Sequence, residues 1–119
     1  MMSEIEDFTE SEVKIVEATL QARYGKAIPV EFADTEIRLD PNIPRLTTCP
    51  ALYWDDPDDD VHFIVCKLGK MQYHSQFYYR GNEQFSTGVY RYDDLQNCVV
   101  TTLRVQADHK LTQDKIIKK

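Results

Sequence analysis

Five aspartates fall within the six residues DDPDDD, from Asp55 to Asp60. Carboxylates this crowded repel one another, so such a loop is costly unless water, salt or a bound cation offsets the charge. Calcium takes about six to eight oxygens in a flexible geometry that loop carboxylates and backbone carbonyls can supply. Asp55, Asp56, Asp58, Asp59 and Asp60 are therefore a candidate calcium ligand set. Magnesium, which holds its waters tightly, fits less well. The same run beside Pro57 also has the composition of a solvated turn.

The helix-loop-helix calcium motif does not account for the segment. Asp56, Asp58 and Asp60 match its first three carboxylate positions, but Val61 stands where the turn needs glycine and Lys67 where the bidentate glutamate belongs. The flanks read as strands. Any site must be completed by neighbouring loops: in an up-and-down meander the Arg80 to Glu83 turn lies at the same end, where Asn82 and Glu83 could add oxygens. At the opposite end Asp40, Asp93 and Asp94 would gather near Gly69 as a second cluster, approached by Asp34 and Glu36.

Other chemistries find weaker signals. Cys49, His62, Cys66, His74 and Cys98 are zinc-ligand types, but there is no C-x-x-C knuckle, and His62 and Cys66 lie ~13 Å apart along one strand. No G-x-S-x-G and no phosphate-cradling glycine loop occurs, and Cys66 is expected opposite Tyr73 rather than His74, so the chain reads as a non-enzyme. The aromatic run YHSQFYY could stack bases, but acidity argues against that.

The elements that must position the acidic loop follow from local pattern. Thr9 and Glu12 form a T-x-x-E capping box for a helix over Glu10–Tyr24, Phe8 can staple onto Val13, and Gly25 supplies the stop. Val13, Val16, Leu20 and Tyr24 form its buried face. Alternation predicts a first strand through Val30, Phe32, Thr35, Ile37 and Leu39, and a second over Ala51–Trp54. A third over Val61–Leu68 turns at Gly69-Lys70 into a fourth over Met71–Arg80. A fifth over Gln84–Tyr92 and a sixth over Cys98–Gln106 follow. With that turn, His62, Ile64, Cys66 and Leu68 share a core face with Met71, Tyr73, Ser75 and Phe77. Val61, Phe63 and Val65 share the other with His74, Gln76 and Tyr78, and the third strand is central. The fold class is α+β: an N-terminal helix packed on an antiparallel, mostly meandering sheet of about five to six strands.

Length and composition fit one domain over residues 1–119, with 1–8 a flexible end and 108–119 either a frayed helix or a disordered end. The net charge is −6. Residues 1–60 carry 15 acids and 5 bases (−10), and residues 61–119 carry 5 acids and 9 bases (+4). An acidic chain gains little from counterion release, which argues against nucleic acid and favours a calcium ion or a basic protein surface as partner. No apolar run of membrane-spanning length and no signal-peptide pattern is present, and three widely spaced cysteines read as reduced thiols, so a cytoplasmic location is expected.

Small size, acidity, the DDPDDD loop and the lack of an EF-hand motif together resemble the cyanobacterial calcium-binding protein family. The resemblance is one of overall character across the chain. It implies calcium sequestration in the cytoplasm, linked in cyanobacteria to heterocyst differentiation, and carries over no ligands beyond the acidic residues named above.

Overall fold

A computed structural model describes residues 5–37, 42, 44–57, 60–79, 84–89 and 91–117. The first element is the expected helix, α1 (Glu10–Tyr24). The Thr9 hydroxyl accepts from the Glu12 N–H at 3.1 Å, and the Thr9 N–H donates to Glu12 Oε1 at 2.7 Å. Gly25, at φ 74°, ends the helix in the left-handed conformation, with its N–H donating to the Gln21 carbonyl. Val16 and Leu20 are fully buried, and Val13 and Tyr24 pack beside them in the cluster that also holds Phe8.

Five antiparallel strands follow in meander order: β1 (Glu31–Ile37), β2 (Thr47–Asp55), β3 (Val61–Gly69), β4 (Gln72–Tyr79) and β5 (Gln84–Ser86). The segment Cys98–Gln106, expected as a sixth strand, is instead part of a long helix, α2 (Leu95–Ile117). Its β-branched run Val99-Val100-Thr101-Thr102 favours a strand locally, but tertiary packing overrides that preference. Leu95, Cys98, Val99, Thr102, Leu103 and Gln106 are all buried, at the three- and four-residue spacing of one helical face. The segment 108–117, for which the sequence left a frayed helix or disorder open, continues this helix. The fifth strand is also shorter than expected, and the chain after it returns to the sheet through a Tyr73–Tyr92 bridge.

The β3–β4 hairpin corrects the expected register. Lys67 pairs with Tyr73 and Gly69 with Gln72, so a bulge intervenes and Lys70-Met71 form the turn, Met71 at φ 55°. One extra residue inverts the alternation. Phe63, Val65 and Lys67 thus share a face with Phe77, Ser75 and Tyr73, and these aromatic and aliphatic side chains meet Val16, Leu20, Val99 and Leu103 of the two helices. His62, Ile64 and Cys66 face the other way with Tyr78, Gln76 and His74. There Ile64 and Cys66 join Cys49, Ala51 and Leu68 in a second buried cluster. β3 is central and buried on both sides, as expected. Among the described residues no helix is long and apolar enough to cross a membrane.

Lys67, on the helix-facing side, is only 5% exposed. Its Nζ donates to Glu12 Oε1 at 2.8 Å and to the Asp7 carbonyl at 3.1 Å, while the Tyr73 hydroxyl donates to Glu12 Oε2. Burial alone would raise the Glu12 pKa. The hydrogen bonds from Lys67, the Thr9 N–H and Tyr73, with the Lys67 charge, outweigh it and hold the carboxyl below its ordinary 4.5. Its contribution is therefore complete above about pH 4.5 and is lost as pH falls through the lower folded-state value. Lys67→Met, which strands the Glu12 carboxylate, should cost about 2–4 kcal/mol in urea unfolding at pH 7, and adding Glu12→Gln should recover part of the loss. The stability lost by wild type between about pH 5 and pH 3 should shrink in Glu12→Gln; an unchanged acid limb would exclude this assignment.

Candidate functional site

The acidic run lies at the β2–β3 hairpin. Val61 is fully buried at the start of β3, and the Asp56 N–H donates to its carbonyl at 3.0 Å, which pins both ends of the loop. Asp55, the last residue of β2, pairs across the ladder with His62. Their side chains meet, with His62 Nδ1 2.5 Å from Asp55 Oδ1. The other ring nitrogen, Nε2, lies 3.5 Å from Asp60 Oδ1. A single imidazole thus addresses two aspartates through its opposite nitrogens, and its ring stacks on Tyr78 at 5.0 Å between centroids.

A neutral imidazole can donate to only one of these carboxylates, an imidazolium to both. The side chains of Asp55 and Asp60 are 74% and 51% exposed, so water or an ion reaches both. Asp58 and Asp59 lie outside the described residues, as do Asn82 and Glu83 of the neighbouring turn. Among the described residues no group of three or more histidine, cysteine, aspartate or glutamate side chains is arranged to hold a metal ion. Sequence reasoning missed His62 as a member of this site, having weighed it only as a zinc ligand. The available signal was its place opposite Asp55 in a hairpin closed by residues 56–60.

The second cluster is divided by the fold. Asp40 lies outside the described residues. Asp94 caps α2, its Oδ1 accepting from the Asn97 N–H at 3.0 Å and its carbonyl from the Cys98 N–H at 2.9 Å. Asp93 does reach the β3–β4 turn, where it lines a cavity of about 600 Å³ with Lys70, Met71, Arg91 and Asn97. Two cations border that hollow. Asp34 and Glu36 are exposed on β1, one of the two edge strands, where Asp34 lines a different hollow with Phe8 and Phe32. Asp94→Ala should cost about 1 kcal/mol and lower the melting temperature by several degrees, with Asp93→Ala near neutral, since only Asp94 satisfies helical N–H groups. Equal losses in the two variants would refute the capping role.

The three cysteines are free and buried. Cys66 pairs with His74, not with Tyr73 as expected, because of the bulge. The pair is no activated nucleophile: burial pushes the Cys66 thiol up to about 12, with further upward pressure from Cys49 and Cys98. Burial likewise lifts Cys98 to about 11 against hydrogen bonds with Ser75 and Thr102. At pH 8 the folded protein should resist thiol-specific disulfide reagents and release three equivalents of thiol only in denaturant. Rapid native labelling of Cys66 would contradict this environment.

Comparison with protein-family models, with curated proteins and with solved structures finds no match to this chain. Any functional reading therefore rests on the geometry of the acidic hairpin and its surroundings.

Proposed function

We propose that this protein is a non-enzymatic, cytoplasmic calcium-binding protein that sequesters or senses the ion through its β2–β3 hairpin. The observation that carries the reading is that the exposed Asp55 and Asp60 carboxylates flank His62 at its two ring nitrogens, within a run of five aspartates. Asp55 and Asp60 flank the two nitrogens of His62, and a calcium ion would draw them together with the neighbouring Asp56, Asp58 and Asp59, loop carbonyls and water. A site of this open kind binds weakly, on the order of 10⁻⁵ to 10⁻³ M. Calcium sequestration is also what the resemblance to the cyanobacterial calcium-binding protein family implies.

His62 acts as a competitor in this scheme. Calcium prefers oxygen, so the ion takes Asp55 and Asp60 from the imidazole rather than binding the ring. Calorimetry should register calcium binding to wild type, with a raised melting temperature by mass action. Asp55→Asn with Asp60→Asn should weaken it at least about tenfold, while His62→Gln should strengthen it about two- to fivefold by freeing both carboxylates. Absence of heat and of thermal shift at millimolar calcium would end the reading.

A second reading is favoured by β1, an edge strand of the sheet, where Glu31, Asp34 and Glu36 are exposed. An acidic edge of this kind suits docking of a basic protein surface, with the carboxylates steering association. Such a module would show no calcium heat, and its binding of a basic partner would fall with salt.

A further inference from the structure

Both helices lie on the same face of the sheet, and each presents a second stripe away from it. On α1 the stripe is Ile15, Ala18 and Ala22; on α2 it is Val100 and Ala107, with the buried Thr19 and Leu103 as the floor between them. Between them runs an outward groove of about 690 Å³. Ile15 is 39% exposed there, and farther along α2 Leu111 is 60% exposed. A solvated helix face is ordinarily polar, so two facing apolar stripes point to a helical layer that is incomplete in the isolated chain.

The charges on the rim select the occupant. Arg23, Arg104 and Asp108 stand on it in a chain of net charge −6, so this rim carries both signs of charge and two copies can meet there without the repulsion of two acidic faces. On α2, Arg104 and Asp108 are four residues apart, about 6 Å along the axis. A two-fold axis passing between them, with the two α2 helices antiparallel, places each Arg104 opposite Asp108 of the second copy and brings Val100 alongside Leu111 of the second copy. This is the self-complementarity that an isologous interface needs. The alanines Ala18, Ala22 and Ala107 permit the close helix approach, toward about 8 Å between axes, that such a layer requires.

We propose that the α1–α2 groove is a homodimer interface in which the helix pairs of two copies stack into a four-helix layer between two sheets. The occupant of the groove is a second copy of this chain. His62 and Asp55 lie on the opposite sheet face, so assembly leaves the acidic hairpin open and the proposal stands apart from calcium binding.

Sedimentation equilibrium tests this on the full chain from about 10 µM to about 500 µM, a range in which a Kd near or below about 10 µM populates the dimer. The expected result is a mass of twice 13.9 kDa. Arg104→Asp and Asp108→Arg each set like charges across the two-fold axis and should each raise the dissociation constant at least about 30-fold. The double variant exchanges the charges and should restore the dimer. Both positions are exposed, and circular dichroism melts confirm that each variant folds. A wild-type monomer throughout the range, as would follow if the chain's own end or an unrelated partner filled the groove, overturns the proposal. A dimer indifferent to the single reversals also overturns it, as does failure of the double variant to restore association.

Discussion

Lys67 sits in the central strand, where water hardly reaches its ammonium group. A buried unpaired charge costs several kcal/mol, so the chain must bring it a carboxylate and a carbonyl or lose the strand. Glu12 and Asp7 supply these from more than fifty residues upstream. The same Glu12 closes the capping box of α1 and accepts from Tyr73. One carboxylate thus fixes where α1 begins, how it sits on the sheet, and which side of β3 faces it. An apolar residue at position 67 could fill the space, but it would not specify the orientation of the helix.

That dependence explains part of what the sequence made legible. The capping box, the glycine stop and the apolar stripe of α1 are local signals and agree with one another, as does the up-and-down order of the strands. The face of β3 was less accessible. Both of its alternating sets contain apolar residues, so periodicity could not choose between them. The hairpin turn had to decide, and Gly69 drew the turn one residue too early. With Met71 at positive φ and a bulge after Lys67, the alternation inverts. Lys67 was the better clue, since its pairing with Glu12 belongs on the helix side.

The second helix shows a competition between propensity and pattern. Val99 to Thr102 is a β-branched run, yet Asp94 stands at the N-cap position and buried residues recur every three or four places through Gln106. Pattern outweighs local preference over a segment this long. The same aspartate had been a candidate metal ligand, and a single sequence does not separate the two roles, because a cap and a ligand both need a short carboxylate at a turn. The acidic hairpin was legible as charge density. Its organisation around His62 was not, because that depends on a cross-strand register fixed by residues far from the loop.

The hairpin also has to survive its own repulsion, and the residues beside it indicate how. Immediately inside the Asp55–His62 pair lies Trp54 against Phe63, stacked at 5.3 Å and buried on the helix-facing side. Val61 is buried next to the loop, and the Asp56 N–H is bonded to its carbonyl. Apolar packing and this backbone hydrogen bond thus hold the strand ends at the loop. Carboxylates crowded on such a frame cannot relieve their repulsion by parting the strands. For the described part of the hairpin the counter-charge nearest to hand is the His62 ring, which stands beside both Asp55 and Asp60.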